Sequence, residues 1–551
     1  MDLYNSVPSD EMKIDNLREK INEKLTSASA MDAFIDKQMV TKAVQKLKEN
    51  KRDASNQLFS NHVIYAGDKL YEHLAQLMTA ILIHGYQPRQ LRQATILSIP
   101  KDARGDLDDD ANYRGIAMMS SIAKIYDVLF LMRNDQKLAT SDMQFSFKKQ
   151  HGTTMCSMVL KEVIHHYLAN GSFVASCFID SSKAFDLVRH DKLFELLLQR
   201  EIPALDIRAM LNLYLNLETF TEWSGYRSSC FRSSNGIRQG GIASPLLYCV
   251  YIDELICRLE KAGTGCWVGK YYYGAFGYAD DLSLICPTFT GLQKMLHICE
   301  QYAAEFGVKY NATKSMCMLF TRSKNQHLPS VTLNGFPMKW VTEIKHLGNY
   351  LSQDLNEASE IRHKRSDLIG RVNSLLGNMS GAPIYVMKKV FLSDCCHFYG
   401  CEAWRYKDQS VDSFHKMWNR CVRRLLKLPY RTRTKYLPHL IQSKTSDEQI
   451  CERFVSLVIS MLTGPNNRLN FIANRGIQIS NTLIGENISY MKNRLDSKLR
   501  ICDIFQLKKN LCFQMYNDND CCTIQAIREL SNCEFLNENE KTVFITFLCV
   551  N

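Results

Sequence analysis

Two adjacent carboxylates, Asp280 and Asp281, stand at a predicted chain reversal between two short apolar segments. Residues 276–279 and 282–286 predict two strands joined by a tight hairpin turn. Two anions held side by side at the end of buried strands repel each other, and a divalent cation between them makes the arrangement favourable. The same pair also fits ordinary turn chemistry, because Asp is common in turns.

A third carboxylate, Asp180, ends another apolar, β-prone run at residues 173–179. A strand ending in one acid and a hairpin carrying two more can place three carboxylates around a pair of metal ions. Two-metal sites hold their ions ~3.5–4 Å apart, where they activate an attacking oxygen and stabilise a leaving one. The three acids together therefore predict phosphoryl or nucleotidyl transfer.

The elements that must position these acids are short strands between helices. Hydrophobic periodicity and helix breakers predict helices over residues 10–25, 33–48, 68–84, 120–138, 154–169, 188–200 and 291–306. A strand is expected at residues 94–99, and the alternation around Gly225 predicts a hairpin over residues 220–232. Residues 235–241 form a glycine-rich turn before a helix, where backbone and helix N-terminus favour a phosphate or sugar nearby.

Three segments together resemble the core motifs of reverse transcriptases, in the form found in non-LTR (LINE-like) retrotransposons. They are FIDSSKAFD at 178–186, NGIRQGGIASPLLY at 235–248 and YADD at 278–281. The resemblance extends upstream to residues 99–127 and downstream to HLGNYLS at 346–352. The order and spacing of the motifs make the resemblance specific.

The resemblance implies an α+β fold, the right-hand polymerase, with an antiparallel palm sheet packed on helices. The domains it implies are an N-terminal helical extension (1–40), fingers (41–155), palm (156–325), primer-grip hairpin with a basic helical thumb (326–440), and a C-terminal helical region (441–551). No motif identifies a role for the last region.

The metal site implied by the resemblance consists of Asp180, Asp280 and Asp281, the catalytic carboxylates, with a main-chain carbonyl from Ile179. The expected cofactor is a pair of Mg²⁺ ions, with Mn²⁺ as an alternative. The expected reaction joins a dNTP to a primer 3′-hydroxyl.

The nucleotide site implied by the resemblance draws on residues from several motifs: Lys101, Arg114, Phe185, Gln239, Gly240 and Lys314. Lys101 and Arg114 would face the triphosphate, which needs fixed cations in addition to metal. The Phe185 ring would exclude a 2′-hydroxyl and so select deoxynucleotides. Lys314 would lie near the leaving pyrophosphate as a general acid. The same residues would also be found if the cations were ordinary surface residues and Phe185 were a core residue.

The net charge of +11 is concentrated in one segment. Residues 361–440 hold 16 Lys and Arg against 5 Asp and Glu, so the rest of the chain is neutral. A basic face confined to one segment is typical of a polyanion-binding surface, although a solvated charged helix would look similar. The cations expected to contact nucleic acid are Arg420, Arg423, Arg424, Lys427, Arg431 and Arg433. The expected partners are an RNA template, a DNA primer and dNTPs, and no membrane.

The 551 residues are 46% hydrophobic and 23% charged, which is ordinary for a globular protein with ample length for a core. No apolar run approaches the length of a membrane span, and the acidic, polar N-terminus does not resemble a secretory signal. The 20 cysteines lack disulfide or zinc spacing, so we expect reduced thiols and a nuclear or cytoplasmic location. Nothing resembles an endonuclease or ribonuclease H, so we expect the polymerase region alone.

Two other functions fit part of this pattern. The chain could be a host-retained relic that binds nucleic acid without catalysis, although its intact acids argue against drift through the site. An RNA-dependent RNA polymerase also uses palm carboxylates, but Phe185 and the alanine in YADD argue for the copying of RNA into DNA.

Overall fold

The computed structural model describes residues 11–53, 58–109, 112–223, 225–238, 240–323, 327–494 and 504. Within these residues no helix combines the length and the apolar character needed to cross a bilayer.

The helices are α1 Glu11–Leu25, α2 Lys37–Val44, α3 Ser60–Ile64, α4 Asp68–His84, α5 Ser121–Arg133, α6 Thr153–Ala169, α7 His190–Gln199, α8 Ala204–Leu215, α9 Ser244–Lys261, α10 Phe289–Phe306, α11 Ala358–Asn378, α12 Ile384–Val390, α13 Gln409–Leu425, α14 Leu437–Ile441, α15 Ser446–Thr463, α16 Asn467–Gln478 and α17 Leu483–Arg494. The strands are β1 Gln93–Pro100, β2 Tyr113–Met119, β3 Val174–Ile179, β4 Glu218–Trp223, β5 Tyr226–Arg227, β6 Phe231–Arg232, β7 Trp267–Val268, β8 Tyr271–Tyr272, β9 Ala275–Tyr278, β10 Asp281–Cys286, β11 Met316–Phe320, β12 Thr332–Leu333, β13 Phe336–Pro337, β14 Lys339–Val341, β15 Glu343–His346 and β16 Asn349–Ser352.

A five-stranded sheet in the order β14-β11-β3-β10-β9 divides the apolar interior into two cores. Ala175, Cys177 and Ile179 of β3 pack into a core shared with α7 to α10. Val174 and Phe178 pack on the opposite face, in a core shared with α6 and α13. Because neighbouring strand residues point to opposite faces, a strand covered on both faces is apolar at nearly every position. This explains the continuous apolar run before Asp180.

A second sheet, in the order β2-β1-β4-β5 with β6 also paired to β4, lies earlier in the chain. β1 and β2 form an antiparallel hairpin in which Ile99 faces Arg114, and β4 runs parallel to β1. The expected hairpin around Gly225 is present as β4 and β5, with Trp223 opposite Tyr226. This sheet therefore brings the two cations expected at the triphosphate onto one hairpin.

The helices after the main sheet form a bundle joined to α6. α11 packs on α13, and α15, α16 and α17 extend the same core with buried residues such as Phe454, Ile472 and Ile484. Where α6 meets the start of α11, the Lys161 ammonium lies 2.9 Å from the Glu357 carboxylate, and both side chains are buried. The described part of the segment 441–551 is thus helical and packs against the helices before it.

Candidate active site

The chain reverses at Ala279 and Asp280, one residue earlier than the sequence predicts. Tyr278 pairs with Asp281 across the hairpin, so Asp281 is the first residue of β10 and only Asp280 lies in the turn. Asp280 therefore has a turn conformation, whereas Asp281 is paired within the sheet. The expectation that both occupy the reversal is wrong, because pairing starts at the second of them.

Sheet register brings Asp180 beside this hairpin. Ile179 faces Leu282 in the antiparallel pair of β3 and β10, which places the next residues, Asp180 and Asp281, opposite each other at the same sheet edge. Neighbouring strands lie ~4.8 Å apart, and residues that face each other point to the same side. The predicted convergence of Asp180 with the hairpin acids is present.

The surroundings of Asp180, Asp280 and Asp281 disfavour ionisation of all three carboxylates at once. Burial, followed by repulsion from Asp280 and Asp180, raises the pKa of Asp281 to about 6. Burial and Asp180 also raise the pKa of Asp280, and the nearby Arg114 guanidinium opposes this rise. Asp280 and Asp281 are nevertheless exposed at the sheet edge and Asp180 is half-buried, so the loss of solvent around these carboxylates is partial. Oxygen donors with uncompensated negative charge are what Mg²⁺ prefers, so the donor set fits such an ion. As the side chains stand, no group of three or more acids, histidines or cysteines among the described residues could hold a metal ion.

The turn itself is held by a segment that motif reasoning did not single out for the site. Ala279 has φ +56°, a left-handed conformation that costs ~1–2 kcal/mol in an L-residue. Its N–H donates to Ser146 Oγ at 2.9 Å and more weakly to Gln144 Oε1 at 3.3 Å. The Phe145 N–H donates to the Gly277 carbonyl at 2.8 Å. The signal available in the sequence was the polar pair within QFSF at 144–147.

Asp180 is fixed from the other side by the loop before β11. The Asp180 N–H donates to Ser315 Oγ at 3.0 Å, and the Asn311 N–H donates to the Asp180 carbonyl at 2.8 Å. Lys314 lies in this loop with an exposed side chain, and its N–H donates to Asn311 Oδ1 at 3.2 Å. The structure thus brings Lys314 into the loop that contacts Asp180.

Phe185 lies half-buried in the loop after β3, with its ring stacked on Tyr248 of α9. The ring centroids are 4.6 Å apart at an interplanar angle of 19°. The Phe185 carbonyl accepts a hydrogen bond from the Ile237 N–H at 2.9 Å. Both the ring and the backbone of Phe185 are therefore held by the glycine-rich turn and the helix that follows it.

Gly240 of that turn lies directly against strand β2. Its φ is +119°, and a Cβ added there would lie 2.4 Å from the Ala117 carbonyl oxygen, so only glycine fits. The neighbouring Gln239, also expected at the nucleotide, lies outside the described residues. Lys101 directly follows β1, has an exposed side chain, and donates its N–H to the Asn112 carbonyl at 2.6 Å.

The basic cations at 420–433 separate into two kinds. Arg420, Arg424, Lys427, Arg431 and Arg433 have exposed side chains, and Arg424 also donates to Asn373 Oδ1 at 2.8 Å. Arg423 is half-buried, and its guanidinium donates to the Thr432 carbonyl at 2.7 Å. Arg423 therefore braces the loop, and the exposed cations form its outer surface.

Comparison with known proteins gives consistent matches. The profile of the family described as reverse transcriptase (RNA-dependent DNA polymerase) matches residues 99–351. The RNA-directed DNA polymerase from mobile element jockey of Drosophila melanogaster is 24% identical over 454 residues, which cover 78% of this chain and 48% of that protein. The corresponding jockey protein of Drosophila funebris is 27% identical over 351 residues, 61% of this chain and 37% of that protein.

A polyprotein from the type-1 retrotransposable element R2 of Nasonia vitripennis is 28% identical over 248 residues, 44% of this chain and 24% of that protein. This chain thus spans half or less of the length of these relatives. The solved structure of apo telomerase from Candida tropicalis has a TM-score of 0.36 at 10% identity, over 56% of this chain and 62% of that one. That similarity is too low for any inference about this chain to rest on it.

Proposed function

We propose that this chain, whose residues 99–351 form a reverse transcriptase domain homologous to those of non-LTR retrotransposons, is an RNA-directed DNA polymerase. One observation carries the proposal. The register of β3, β10 and β9 gathers Asp180, Asp280 and Asp281 at one sheet edge, within the matched segment. Three carboxylates in this arrangement suit nucleotidyl transfer.

The three acids would hold two Mg²⁺ ions, or Mn²⁺ in their place, with the main-chain carbonyl of Ile179 as a further ligand. When bound, such ions stabilise charge on both the attacking and the leaving oxygen. The chain contributes fixed negative charge for this purpose. The raised pKa values of Asp280 and Asp281 reflect burial and repulsion, which a divalent cation relieves.

The nucleotide would lie between the acids and the β1–β2 hairpin. Arg114, close enough to Asp280 to affect its pKa, would contact the triphosphate, and Lys101 would do so from the same hairpin. The Phe185 ring, fixed against Tyr248, would stand where a ribose 2′-hydroxyl would otherwise fit. Gln239 and Gly240 would contact the nucleotide and template, and Lys314 would donate a proton to the leaving pyrophosphate.

The template and primer would lie along the basic bundle. The exposed Arg420, Lys427, Arg431 and Arg433 supply cations for phosphate contacts, with Arg424 and the bracing Arg423 beside them. Residues 413–446 contain nine Lys and Arg and no Asp or Glu, which suits a nucleic-acid backbone. We also propose an intracellular, reducing location, in the nucleus, the cytoplasm or both, which buried free thiols such as Cys156, Cys177 and Cys249 support.

Primer extension on an RNA template tests the proposal, with wild type compared against Asp280→Asn. Loss of one metal-holding charge removes several kcal/mol of transition-state stabilisation, so we expect incorporation to fall on the order of 10³-fold. The melting temperature should stay unchanged or rise, because the substitution also removes repulsion from Asp180 and Asp281. Asp412→Asn, the same chemical change at an exposed acid of α13, is the matched control and should extend primers normally.

Equal product from wild type and Asp280→Asn would refute the proposal. Tight, salt-sensitive RNA binding by a wild type that incorporates nothing would identify the chain as a catalytically inactive relic. A preference for NTPs over dNTPs would instead indicate an RNA polymerase.

A further inference from the structure

A buried ion pair lies behind the glycine-rich turn. The Arg238 guanidinium donates to Asp127 Oδ1 at 2.7 Å, and the two side chains are 2% and 0% exposed. The other oxygen of Asp127 accepts hydrogen bonds from the Ile242 and Ala243 N–H groups, at 3.0 and 3.3 Å. Through one carboxylate, α5 thus holds both the turn and the start of α9.

Stability alone does not account for this pair. A buried ion pair must overcome the desolvation of both charges, and replacing it with apolar residues is often neutral or stabilising. Moreover, Arg238 Nε and Nη1 are buried without a hydrogen-bond acceptor among the described residues. What the pair does provide is a fixed geometry, since the acid accepts three directional hydrogen bonds from two separate elements.

The elements that this pair holds are the ones that hold Phe185. The turn donates the Ile237 N–H to the Phe185 carbonyl at 2.9 Å and the Gly236 N–H to the Val188 carbonyl at 2.7 Å. The helix α9 supplies Tyr248, on which the Phe185 ring stacks. A shift of the turn or of the helix start would therefore move the ring or its backbone.

We propose that Asp127 and Arg238 are positioning residues for sugar discrimination, which hold the Phe185 ring where it excludes a 2′-hydroxyl. The inference rests on the proposed function, because it assigns the turn and Phe185 to the nucleotide. Neither residue touches the nucleotide. Both act through the turn and through α9.

The experiment measures nucleotide binding without chemistry. Full-length protein is bound to an RNA template with a dideoxy-terminated DNA primer, and Kd values for dATP and ATP are measured with Mg²⁺ opposite a template U. The variant Arg238→Met removes the guanidinium, while Asp127 still accepts the hydrogen bonds from the Ile242 and Ala243 N–H groups. The double variant D127N/R238M removes both charges and retains an acceptor for the helix start, so it should fold. In both variants we expect the Kd for ATP divided by the Kd for dATP to fall roughly 10-fold. This is the scale on which remote substitutions alter coupling.

Two further variants separate positioning from stability. Arg238→Lys keeps the charge and should retain much of the discrimination. Glu357→Gln breaks the comparable buried pair with Lys161 where α6 meets the start of α11, and the two side chains there are 2% and 6% exposed. Glu357→Gln should lower the melting temperature at least as much as R238M does, while its ratio of Kd values for dATP and ATP stays at the wild-type value.

A folded D127N/R238M with wild-type discrimination would overturn the inference, as would an equal loss of discrimination in Glu357→Gln. Wild-type protein that binds dATP selectively but extends no primer would refute the proposed polymerase and leave the test of the pair intact. Wild-type protein that binds dATP and ATP equally would overturn the inference directly.

Discussion

Gly240→Ala offers a sharp test of how the glycine-rich turn contacts the sheet that contains β1 and β2. The added Cβ would lie 2.4 Å from the Ala117 carbonyl oxygen and 3.6 Å from Ile116 Cγ2. That carbonyl cannot withdraw freely, because Ala117 is paired with Ile96 within the sheet. The backbone also has φ +119°, which an alanine rarely adopts. Strain of this kind costs ~1–3 kcal/mol even before the collision is relieved.

The turn is less constrained than the strand, so we expect the turn to move. A displacement that costs ~2 kcal/mol corresponds to about 30-fold in affinity. Steady-state primer extension should therefore show KM for dNTP raised about 30-fold, within a range of about 5- to 150-fold. Affinity for the primer–template, measured by filter binding, should change far less than this, because Gly240 would make one template contact whereas the exposed cations of residues 420–433 would make several.

The control is another glycine-to-alanine change, Gly377→Ala in α11. Apart from the backbone of its own helix turn, no atom lies within 4 Å of the Cβ it would add, and its φ is not in the left-handed region. Alanine is favoured over glycine in helices by about 0.8–1 kcal/mol, so this variant should melt slightly higher and keep the wild-type KM. If Gly240→Ala also kept the wild-type KM for dNTP, the contact between the turn and β2 would have no part in nucleotide binding.

Three further predictions follow from named contacts. Burial raises the pKa of Glu162 to about 7 against an ordinary 4.5, so its contribution to stability is present below pH 4.5 and is lost as pH rises through 7. The free energy of unfolding of Glu162→Gln, measured in urea, should therefore equal that of wild type at pH 4 and exceed it by up to about 3 kcal/mol above pH 8. A constant difference across pH would contradict this. Phe185→Val should increase NTP incorporation relative to dNTP on the order of 10- to 100-fold, and an unchanged ratio would remove the ring from sugar selection. Ser146→Ala removes the closest acceptor for the Ala279 N–H and should reduce kcat about 5-fold, equivalent to ~1 kcal/mol, with little change in melting temperature; a normal kcat would show that the turn needs no such support.

The order and spacing of the motifs were enough to predict the resemblance to reverse transcriptases. Asp180, Asp280 and Asp281 could be predicted to lie together because Asp180 and Asp280 each follow an apolar strand signal and Asp281 is adjacent to Asp280. The matched segment 99–351 confirms the reverse transcriptase resemblance. The α+β class, which the resemblance implied, is also correct, but the parallel pairing of β14 with β11 in the main sheet was not predicted. The domain boundaries and the roles of individual site residues stay predictions.

Only the tertiary structure decided how the site is held. It moved the reversal to Ala279 and Asp280 and supplied Ser146 as the support for a strained residue. It also paired Arg238 with Asp127, 111 residues away in the chain, and assigned Arg423 to bracing. Sequence determines local chemistry and periodicity, which depend on near neighbours. A hydrogen bond or ion pair between distant segments depends on how whole elements pack. Residue types such as Ser, Asp and Arg do not by themselves indicate which distant residue they will contact.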